Sequence, residues 1–348
     1  MAHLPPLPRH RITTWQTHNT EKDINFAIHI ETGWVIYADI DPSYFLNSPL
    51  LLHQYHHCLE ALRDNSEEMD RAEALEWLTR PFEQVVEELT HYPSPLRPGT
   101  DATLSDYLYA PHVVCQLRAV NEHLQPLRMT SPPQLRTTTP TAIRVEFLTQ
   151  PRRWTKAFHP DDVTIPSQQW DPTVASLDKV LVTNREGTTT ACHFKKLGYW
   201  CQPREENPEL TVLKNLALAR KTAQNGHFIR SLYGLVRDKS QPGYVGMLFN
   251  WIDSKGMMSE DLVETAAPHV REKWATQIQD SVRKLHQLGL VWGNPGWNCV
   301  LIDQDDNAWI KFGNGYLLDW IDDSKRGTVE GDLQGVEKLL RMLKMGDS

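Results

Sequence analysis

The C-terminal third of the chain sets the strongest limit on the fold. Residues 269–288 repeat apolar side chains at three- and four-residue spacing, which predicts one long amphipathic helix that stops at Gly289. Short apolar runs at 290–291, 299–302 and 309–312 then predict strands around two loops. A last helix is predicted at 331–343. This part of the chain is therefore expected to be helical, with a small hairpin held against the helices.

Composition limits the class of protein. The chain has 348 residues, of which 40% are hydrophobic and 23% charged, values typical of a soluble globular protein with two or three packed units. The net charge of −8 and the lack of a long basic run argue against a nucleic-acid partner. No run approaches the ~20 apolar residues that cross a bilayer, and the proline-rich start does not resemble a signal peptide. We expect no membrane partner.

The cysteines and histidines bear on location and on metals. Five scattered cysteines without a CxxC pair predict reduced thiols in a cytoplasmic or nuclear protein. His53, His56 and His57 lie close together on a predicted helix. Only His53 and His57 share a face, so we favour an ordinary helix over a metal site.

The first part of the chain predicts an N-terminal α+β accessory unit at 1–130, beginning with a loose arm at 1–12. Alternating segments on either side of a turn at 31–33 predict a hairpin, and helices are predicted at 49–63 and 68–90, the second divided by Pro81. Extended pieces are predicted at 103–109 and 112–117. The segment 131–140 is rich in proline and threonine and predicts a linker.

The central part predicts a second sheet. A strand pair at 178–183 and 190–197 surrounds a turn at 184–187, a helix follows at 208–223, and further strands are predicted at 228–236 and 244–251.

The order of these elements and the sequences of the loops resemble those of a protein-kinase fold. The segment 291–303, Val-Trp-Gly-Asn-Pro-Gly-Trp-Asn-Cys-Val-Leu-Ile-Asp, resembles the Trp-Gly-Asp-Ala-Lys-Pro-Asp-Asn-Val-Leu-Ile-Asp loop of fungal-type kinase-like proteins in the protein-kinase and aminoglycoside-phosphotransferase superfamily. The segment 312–316, Phe-Gly-Asn-Gly-Tyr, is similar to their Phe-Gly-Gly-Gly-Tyr. Weaker likenesses occur at 103–108, 158–163, 192–195, 246–253, 320–322 and 327–338, so the resemblance covers roughly 100–348.

The resemblance implies an α+β, protein kinase-like two-lobe fold, with a small sheet lobe, a helical lobe and the N-terminal accessory unit. The sheet lobe would span 141–249, the hinge 250–254, and a truncated helical lobe 255–348. A full protein kinase has several more helices after the one predicted at 331–343, and these dock a peptide, so we expect no protein substrate.

The resemblance also assigns site residues. Lys195 matches the strand lysine that binds nucleotide phosphates, and Glu209 is the best match for its ion-pair partner. Asn250 and Ile252 fall in the hinge that would face an adenine. Asp332 matches the acidic residue that anchors the catalytic-loop backbone.

Three positions depart from the kinase pattern. Asn294 stands where the proton-accepting Asp is expected, Cys299 where a metal-binding Asn is expected, and Lys311 where the Asp before Phe-Gly would bind Mg²⁺. Loss of a general base alone typically lowers a rate by about 10²–10⁴. Asn298, one place out of register, is the nearest replacement ligand.

The same residues also have other interpretations, most of which involve no function. Lys195 and Lys196 could be exposed lysines on an edge strand. Lys311 could neutralise a phosphate in place of the metal, or could form an internal pair with Asp303 or Glu209, which we favour. Cys299 is interpreted as a buried structural thiol.

Together these residues predict a catalytically inactive kinase-like protein, a pseudokinase, that acts as a binding or regulatory module. One alternative is an ATP-dependent phosphotransferase with unusual residues, acting on a small molecule or a protein. Another is a kinase fold reused for non-phosphoryl chemistry in fungal secondary metabolism. No cofactor is expected to be required, any ATP binding is expected to be weak and independent of Mg²⁺, and the partner is an unidentified protein or small molecule.

Overall fold

The computed structural model describes residues 7–17, 23–64, 69–96, 101–130, 153–174, 177–184, 186–197, 208–220, 228–240, 242–312 and 320–345. These residues form an α+β structure with three sheets, each packed against helices. Among the described helices, none combines the length and the apolar composition needed to cross a bilayer.

The first sheet has five strands in the order β1-β2-β3-β5-β6. Strands β3 and β5 are parallel, and the other neighbours are antiparallel. The strands are β1 His10–Thr17, β2 Ile24–Ile30, β3 Val35–Ile40, β5 His112–Val120 and β6 His123–Arg128. Three helices pack on it: α1 Pro49–Asp64, α2 Arg71–Thr79 and α3 Glu83–Thr90. Phe26, Phe45, Tyr55 and Phe82 form a fully buried aromatic centre between sheet and helices.

The second sheet has seven strands in the order β4-β8-β9-β10-β12-β11-β7. Strands β7 and β11 are parallel, and the remaining pairs are antiparallel. The strands are β4 Ala102–Thr103, β7 Lys156–Phe158, β8 Val163–Ile165, β9 Val180–Thr183, β10 Thr189–Lys196, β11 Leu232–Arg237 and β12 Tyr244–Asn250. The chain between β10 and β11 contains helix α5, Pro208–Arg220. Gly246 lets β12 approach β10, because a Cβ there would overlap the Phe194 ring.

The third sheet is small and lies against long helices. It contains β13 Ser254–Met257, β14 Val300–Asp303 and β15 Ala308–Ile310, all antiparallel. The helices are α6 Glu260–Thr265, α7 Pro268–Gln287 and α8 Val329–Met345. Trp274 of α7 is fully buried, and its indole N–H donates to the Asp306 carbonyl at 3.1 Å. Trp274 belongs to the apolar stripe of helix α7, and its contact packs the β14–β15 hairpin against the helices.

Most predicted elements are confirmed. The division of the second N-terminal helix at Pro81 appears as a short 3₁₀ turn, Arg80–Phe82, between α2 and α3. The predicted strand at 290–291 does not form, whereas the other two short strands become β14 and β15. The predicted linker at 131–140 lies outside the described residues.

Two predictions for the N-terminal part are wrong. The supposed loose arm includes the start of β1, which pairs with β2 from His10 onward. Residues predicted as extended at 103–109 are mostly helix α4, Leu104–Leu108, because Thr103 and Asp106 form a reciprocal capping box.

The boundary predicted for the accessory unit also differs from the observed packing. Strand β4 pairs with β8, and Leu104 and Leu108 of α4 lie in the core of the second sheet. Residues 1–130 are therefore not one separate packed unit, since the chain leaves the first sheet, joins the second and returns as β5. The reason is burial: Leu104 and Leu108 are 0% and 5% exposed only because the second sheet covers them.

Further contacts join the first sheet to the second. Arg11 Nε donates to the Thr173 carbonyl at 2.6 Å, and His29 Nδ1 donates to the Pro172 carbonyl at 3.1 Å. A pocket of about 330 Å³ lies at the boundary between the two sheets, and aromatic rings that include Trp34, Tyr107 and Trp170 line it. The two hydrogen bonds join strands β1 and β2 of the first sheet to the segment 172–173, which follows β8 of the second sheet.

Candidate functional site

An ion pair joins the second sheet to its helix. Lys195 Nζ donates to both carboxylate oxygens of Glu209, at 2.9 and 2.7 Å. The side chains are 32% and 15% exposed, and burial raises the pKa of Glu209 while Lys195 opposes that rise. Strand β10 lies between β9 and β12, so the edge-strand interpretation of Lys195 is wrong. The pair predicted from the resemblance is thus present as a contact.

Lys311 follows β15 and is held by its backbone. Its N–H donates to the Cys299 carbonyl at 2.9 Å, and its own carbonyl accepts from the Trp292 indole at 2.8 Å. The residue is only 7% exposed. Within the described part of the chain, its ammonium makes no hydrogen bond and no ion pair. Among the described residues, the hydrogen bonds of Lys311 are therefore those of its backbone.

The internal pair favoured for Lys311 is not formed. The Asp303 carboxylate accepts instead from Asn307, from Trp309 Nε1 at 2.7 Å and from the Asp305 backbone. The Glu209 carboxylate is engaged by Lys195. Burial lowers the pKa of Lys311 to about 8, with smaller opposing attractions to Cys299 and Glu209 and further repulsion from Arg230 and Lys195. The ammonium is thus destabilised in the folded protein.

The loop after α7 brings Asn294 and Cys299 together. Asn294 Nδ2 lies 3.7 Å from Cys299 Sγ, the distance of a weak N–H···S contact. Cys299 is fully buried, and burial raises the pKa of its thiol to about 11. The thiol therefore stays protonated, and it offers neither a thiolate nor a hard oxygen to a metal ion.

Asp332 anchors the same loop from helix α8. Its carboxylate accepts from the backbone N–H of Trp292 at 2.7 Å and of Gly293 at 2.8 Å, and from His286 Nε2 at 2.8 Å. It is 1% exposed; burial raises its pKa, and these hydrogen bonds oppose the rise. Gly335, one turn further on, allows the helix to touch Pro295, because a Cβ there would overlap the proline. The loop that holds Asn294 is therefore fixed to α8 at two points.

The predicted hinge residues lie elsewhere. Asn250 Nδ2 donates to Ser231 Oγ at 2.6 Å, and both Asn250 and Ile252 line a pocket of about 440 Å³ together with Trp251 and Trp309. Lys195, Glu209 and Lys311 are not among the residues that line it. Among the described residues, the predicted site therefore lies in two places. Lys195, Glu209 and Lys311 belong to one group, the ion-pair cluster, whereas Asn250 and Ile252 line a separate pocket beside the segment 250–253.

Arg230 belongs to the cluster, and sequence reasoning did not identify it. It precedes β11 and is 9% exposed, its N–H donates to the Ile310 carbonyl at 2.9 Å, and its guanidinium lies 5.1 Å from the Phe249 ring centroid. Its Nε has no hydrogen-bond partner among the described residues. Burial lowers its pKa to about 10, opposed by Glu209 and Asp178. The only signal in the sequence is one charged residue in the apolar run 228–236.

His193 completes the cluster without adding charge. Its Nδ1 donates to the Asp178 carbonyl at 2.9 Å. Burial lowers its pKa to about 4, and Arg230, Lys311 and Lys195 lower it further. The imidazole is therefore neutral at physiological pH. Among the described residues, the cluster contains the cations Lys195, Arg230 and Lys311 beside the carboxylate of Glu209, and the exposed Asp178 also attracts Arg230.

Metal-ligand clusters were sought in the described residues. No group of three or more His, Cys, Asp or Glu side chains there could hold a metal ion. His53 and His57 instead contact each other, with their Nε2 atoms 3.0 Å apart.

Comparison with known proteins leaves the family open. No protein-family model matches the chain, and a search of the curated proteins finds no match.

Proposed function

We propose that this chain is a protein kinase-like protein that does not transfer phosphate and acts as a binding or regulatory module. The observation that carries the proposal is the buried side chain of Lys311. It occupies the position where the resemblance assigns a metal-binding carboxylate, and it shares the electrostatic environment of the Lys195–Glu209 pair.

The element order supports the kinase-like assignment. An antiparallel core of five strands, β8 to β12, carries helix α5 between β10 and β11, and the chain then passes through 250–253 into helices and a small hairpin. The resemblance implies this order. It also implies an acidic residue that binds the loop backbone, and Asp332 makes such contacts with Trp292 and Gly293.

The residues at the reactive positions support inactivity. Phosphoryl transfer depends on a base or water-positioning group and on metal ions that neutralise the phosphates. Asn294 offers an amide and Cys299 a protonated thiol, so neither supplies a carboxylate. A unit positive charge ~4 Å from a dication costs about 8 kcal/mol at an effective dielectric of ~20. Charged Lys311 therefore disfavours Mg²⁺ at this position.

The ion pair favours a second candidate function, an active phosphotransferase. Lys195 and Glu209 are joined by two hydrogen bonds, and the resemblance assigns to these positions the ion pair that an active kinase requires. In that case another residue would have to supply the metal ligands. We favour the binding module, because the ion pair also holds α5 against the second sheet in a protein that does not transfer phosphate.

The proposal extends to partners and location. Its partner is an unidentified protein or small molecule, and the acidic chain is not expected to bind nucleic acid. Four cysteines in the described residues are buried free thiols, in keeping with a cytoplasmic or nuclear protein.

The test is a sensitive assay of ATP consumption and autophosphorylation in Mg²⁺ and in Mn²⁺. We expect no turnover above that of a Lys195→Ala variant prepared in parallel. A turnover that the Lys195→Ala substitution abolishes would contradict the proposal and favour the phosphotransferase.

A further inference from the structure

The pocket at the boundary between the first and second sheets is separate from the ion-pair cluster and from the segment 250–253. Its described lining residues come from strand β2 and the turn that leads into β3, from the segment 105–111, and from the chain after β8 and β11. Its volume of about 330 Å³ is at the lower end of the range for small-molecule sites, which often lie where two packed units meet. The pocket therefore has the size and the position of a site for a small ligand.

Hydrogen bonds hold the walls of this pocket in place without a ligand. Val35 N–H donates to the Pro111 carbonyl at 3.0 Å, which fixes the start of β3 to the segment that follows α4. Lys239 N–H donates to the Tyr109 hydroxyl at 2.8 Å, which fixes the same segment to the end of β11. A site that is already formed binds its ligand without the entropic cost of ordering the walls.

Aromatic rings determine what this pocket can recognise. Trp34, Tyr107, Tyr109 and Trp170 are among its lining residues. The ring centroids of Tyr107 and Trp170 lie 6.5 Å apart with 79° between the ring planes, so the two rings meet edge to face. Aromatic rings associate in edge-to-face and offset-stacked arrangements, and two perpendicular rings offer a planar ligand both. A flat aromatic molecule therefore matches this lining.

The charged groups at the pocket are engaged by other parts of the protein. The Asp106 carboxylate accepts from the backbone N–H of Thr103 at 2.7 Å and from its hydroxyl at 2.8 Å. Lys239 Nζ donates to Ser105 Oγ at 3.0 Å and lies 3.6 Å from the Asp161 carboxylate. A charged ligand would have to compete with these contacts and would lose its hydration as well. The lining thus favours a ligand without charge.

The titratable rings at the pocket are uncharged at neutral pH. His29 Nδ1 donates to the Pro172 carbonyl at 3.1 Å, and burial lowers the pKa of His29 to about 4. Burial raises the pKa of Tyr107 to about 12. Neither an imidazolium nor a phenolate is therefore present to attract an ion.

We propose that this pocket binds a planar, uncharged aromatic molecule of one or two fused rings, which lies against the rings of Tyr107 and Trp170. The proposal goes beyond the proposed function and does not rest on it, because the lining residues have no role there. Elements of both sheets supply the walls, so a bound ligand stabilises the arrangement of the two sheets by the free energy of its own binding.

The experiment is a calorimetric titration of the full chain with three probes that share one ring system: indole, which is uncharged, tryptamine, which is positive, and indole-3-acetate, which is negative. We expect indole to bind with a Kd of roughly 10 µM to 1 mM, the range for a ligand of about nine non-hydrogen atoms. The charged probes should bind about 10-fold more weakly or not at all.

Two results of this titration would overturn the proposal. One is the absence of indole binding up to the solubility limit of indole. The other is binding of either charged probe as tightly as indole, because the pocket would then recognise an ion. An oligoproline peptide is titrated in parallel, since aromatic grooves also bind extended proline-rich segments. Binding of that peptide without binding of indole would make this a peptide site.

Substitutions of Trp170 locate the binding. Trp170→Leu should weaken indole binding about 10-fold, because it removes a ring contact, whereas Trp170→Phe keeps a ring and should stay within about 3-fold of the unmodified protein. Trp77→Leu is the matched control, because Trp77 is also partly buried but is not among the residues that line the pocket. Equal indole binding by Trp170→Leu and the unmodified protein would overturn the proposal.

Nuclear Overhauser contacts locate bound indole in the unmodified protein, so the test remains decisive if Trp170→Leu fails to fold. We expect contacts between the indole protons and the ring protons of Tyr107 and Trp170. Contacts to Trp251 and Trp309 instead would place indole in the pocket beside 250–253 and would overturn the proposal. None of these measurements depends on phosphate transfer, so the proposed function is tested separately.

Discussion

The buried side chain of Lys311 lowers the stability of the folded protein at a position to which the proposal assigns a function. A lysine with the usual pKa of 10.5 is held where burial lowers the pKa to about 8. The folded state therefore carries a charge that it disfavours. Functional sites often retain such destabilising groups, since a ligand relieves the cost when it binds.

Replacement of Lys311 by methionine tests this at the residue scale. Met has a similar length and no charge, so Lys311→Met should raise the free energy of unfolding by about 1–3 kcal/mol at pH 7 without ligand. Urea denaturation measures it. A loss of stability would mean that the ammonium has a partner, which would contradict the account of the cluster.

The pH dependence of stability tests the same residue in the unmodified protein. The folded state releases the Lys311 proton near pH 8 and the unfolded chain near 10.5, so the unfolded chain binds more protons between these values. Stability attributable to Lys311 should therefore rise with pH from about 8 to 10.5. The difference in unfolding free energy between Lys311→Met and the unmodified protein should shrink over this window. A constant difference would contradict the lowered pKa.

At the scale of single elements, the loop at 292–296 depends on the close approach of α8. Asp332 accepts two backbone N–H groups of the loop, and Gly335 leaves room for Pro295. A helix and a loop are thereby locked together without any large side chain at the contact. The loop that carries Asn294 is consequently held in a fixed place.

Gly335→Ala gives a test in which two effects have opposite signs. Alanine in a helix interior normally stabilises by about 1 kcal/mol relative to glycine. Here the new Cβ would overlap Pro295, so we expect Gly335→Ala to destabilise by about 1–3 kcal/mol. Leu333→Ala, at a position 56% exposed on the same helix, is the control and should change stability little. Thermal unfolding of both variants measures the change in stability. A Gly335→Ala variant that is more stable than the unmodified protein would contradict the close contact between Gly335 and Pro295.

Elements with strong local signals could be predicted from the sequence, whereas the members of the cluster could not. Helix α7 follows from its apolar stripe, and the break at Pro81 follows from the chemistry of proline. Helix α4 was missed, although the Thr103 and Asp106 spacing is a capping signal. Arg230 was missed because its burial arises from the bridge between Ile229 and Ile310, which lie 81 positions apart in the sequence.

At the scale of the whole molecule, the two sheets are joined by more than one segment. Strand β4 and helix α4 belong to the second sheet, although the first sheet continues after them with β5. Arg11 adds a hydrogen bond to Thr173 across the boundary between the two sheets, and Lys239 Nζ, just after β11, holds α4 to the second sheet by donating to Ser105 at 3.0 Å. Separating the parts would expose the apolar residues of α4.

Cleavage within 131–140 tests this coupling. A protease recognition sequence inserted there should allow complete cutting, and the two fragments should still elute together in size-exclusion chromatography without denaturant. Leu104→Ala and Leu108→Ala together should weaken the association, because they remove buried contacts between α4 and the second sheet. Free separation of the fragments of the unmodified sequence would contradict the docked arrangement.

The most direct test of the central claim is a thermal-shift measurement on the unmodified protein in three conditions: no nucleotide, ATP in EDTA, and ATP with Mg²⁺. The resemblance assigns the metal ligand of a kinase to the position of Lys311, so we expect ATP in EDTA to raise Tm and Mg²⁺ to add nothing or to reduce the shift. Stabilisation that appears only with Mg²⁺ would contradict the account, because it would require a metal-binding carboxylate where Lys311 now lies.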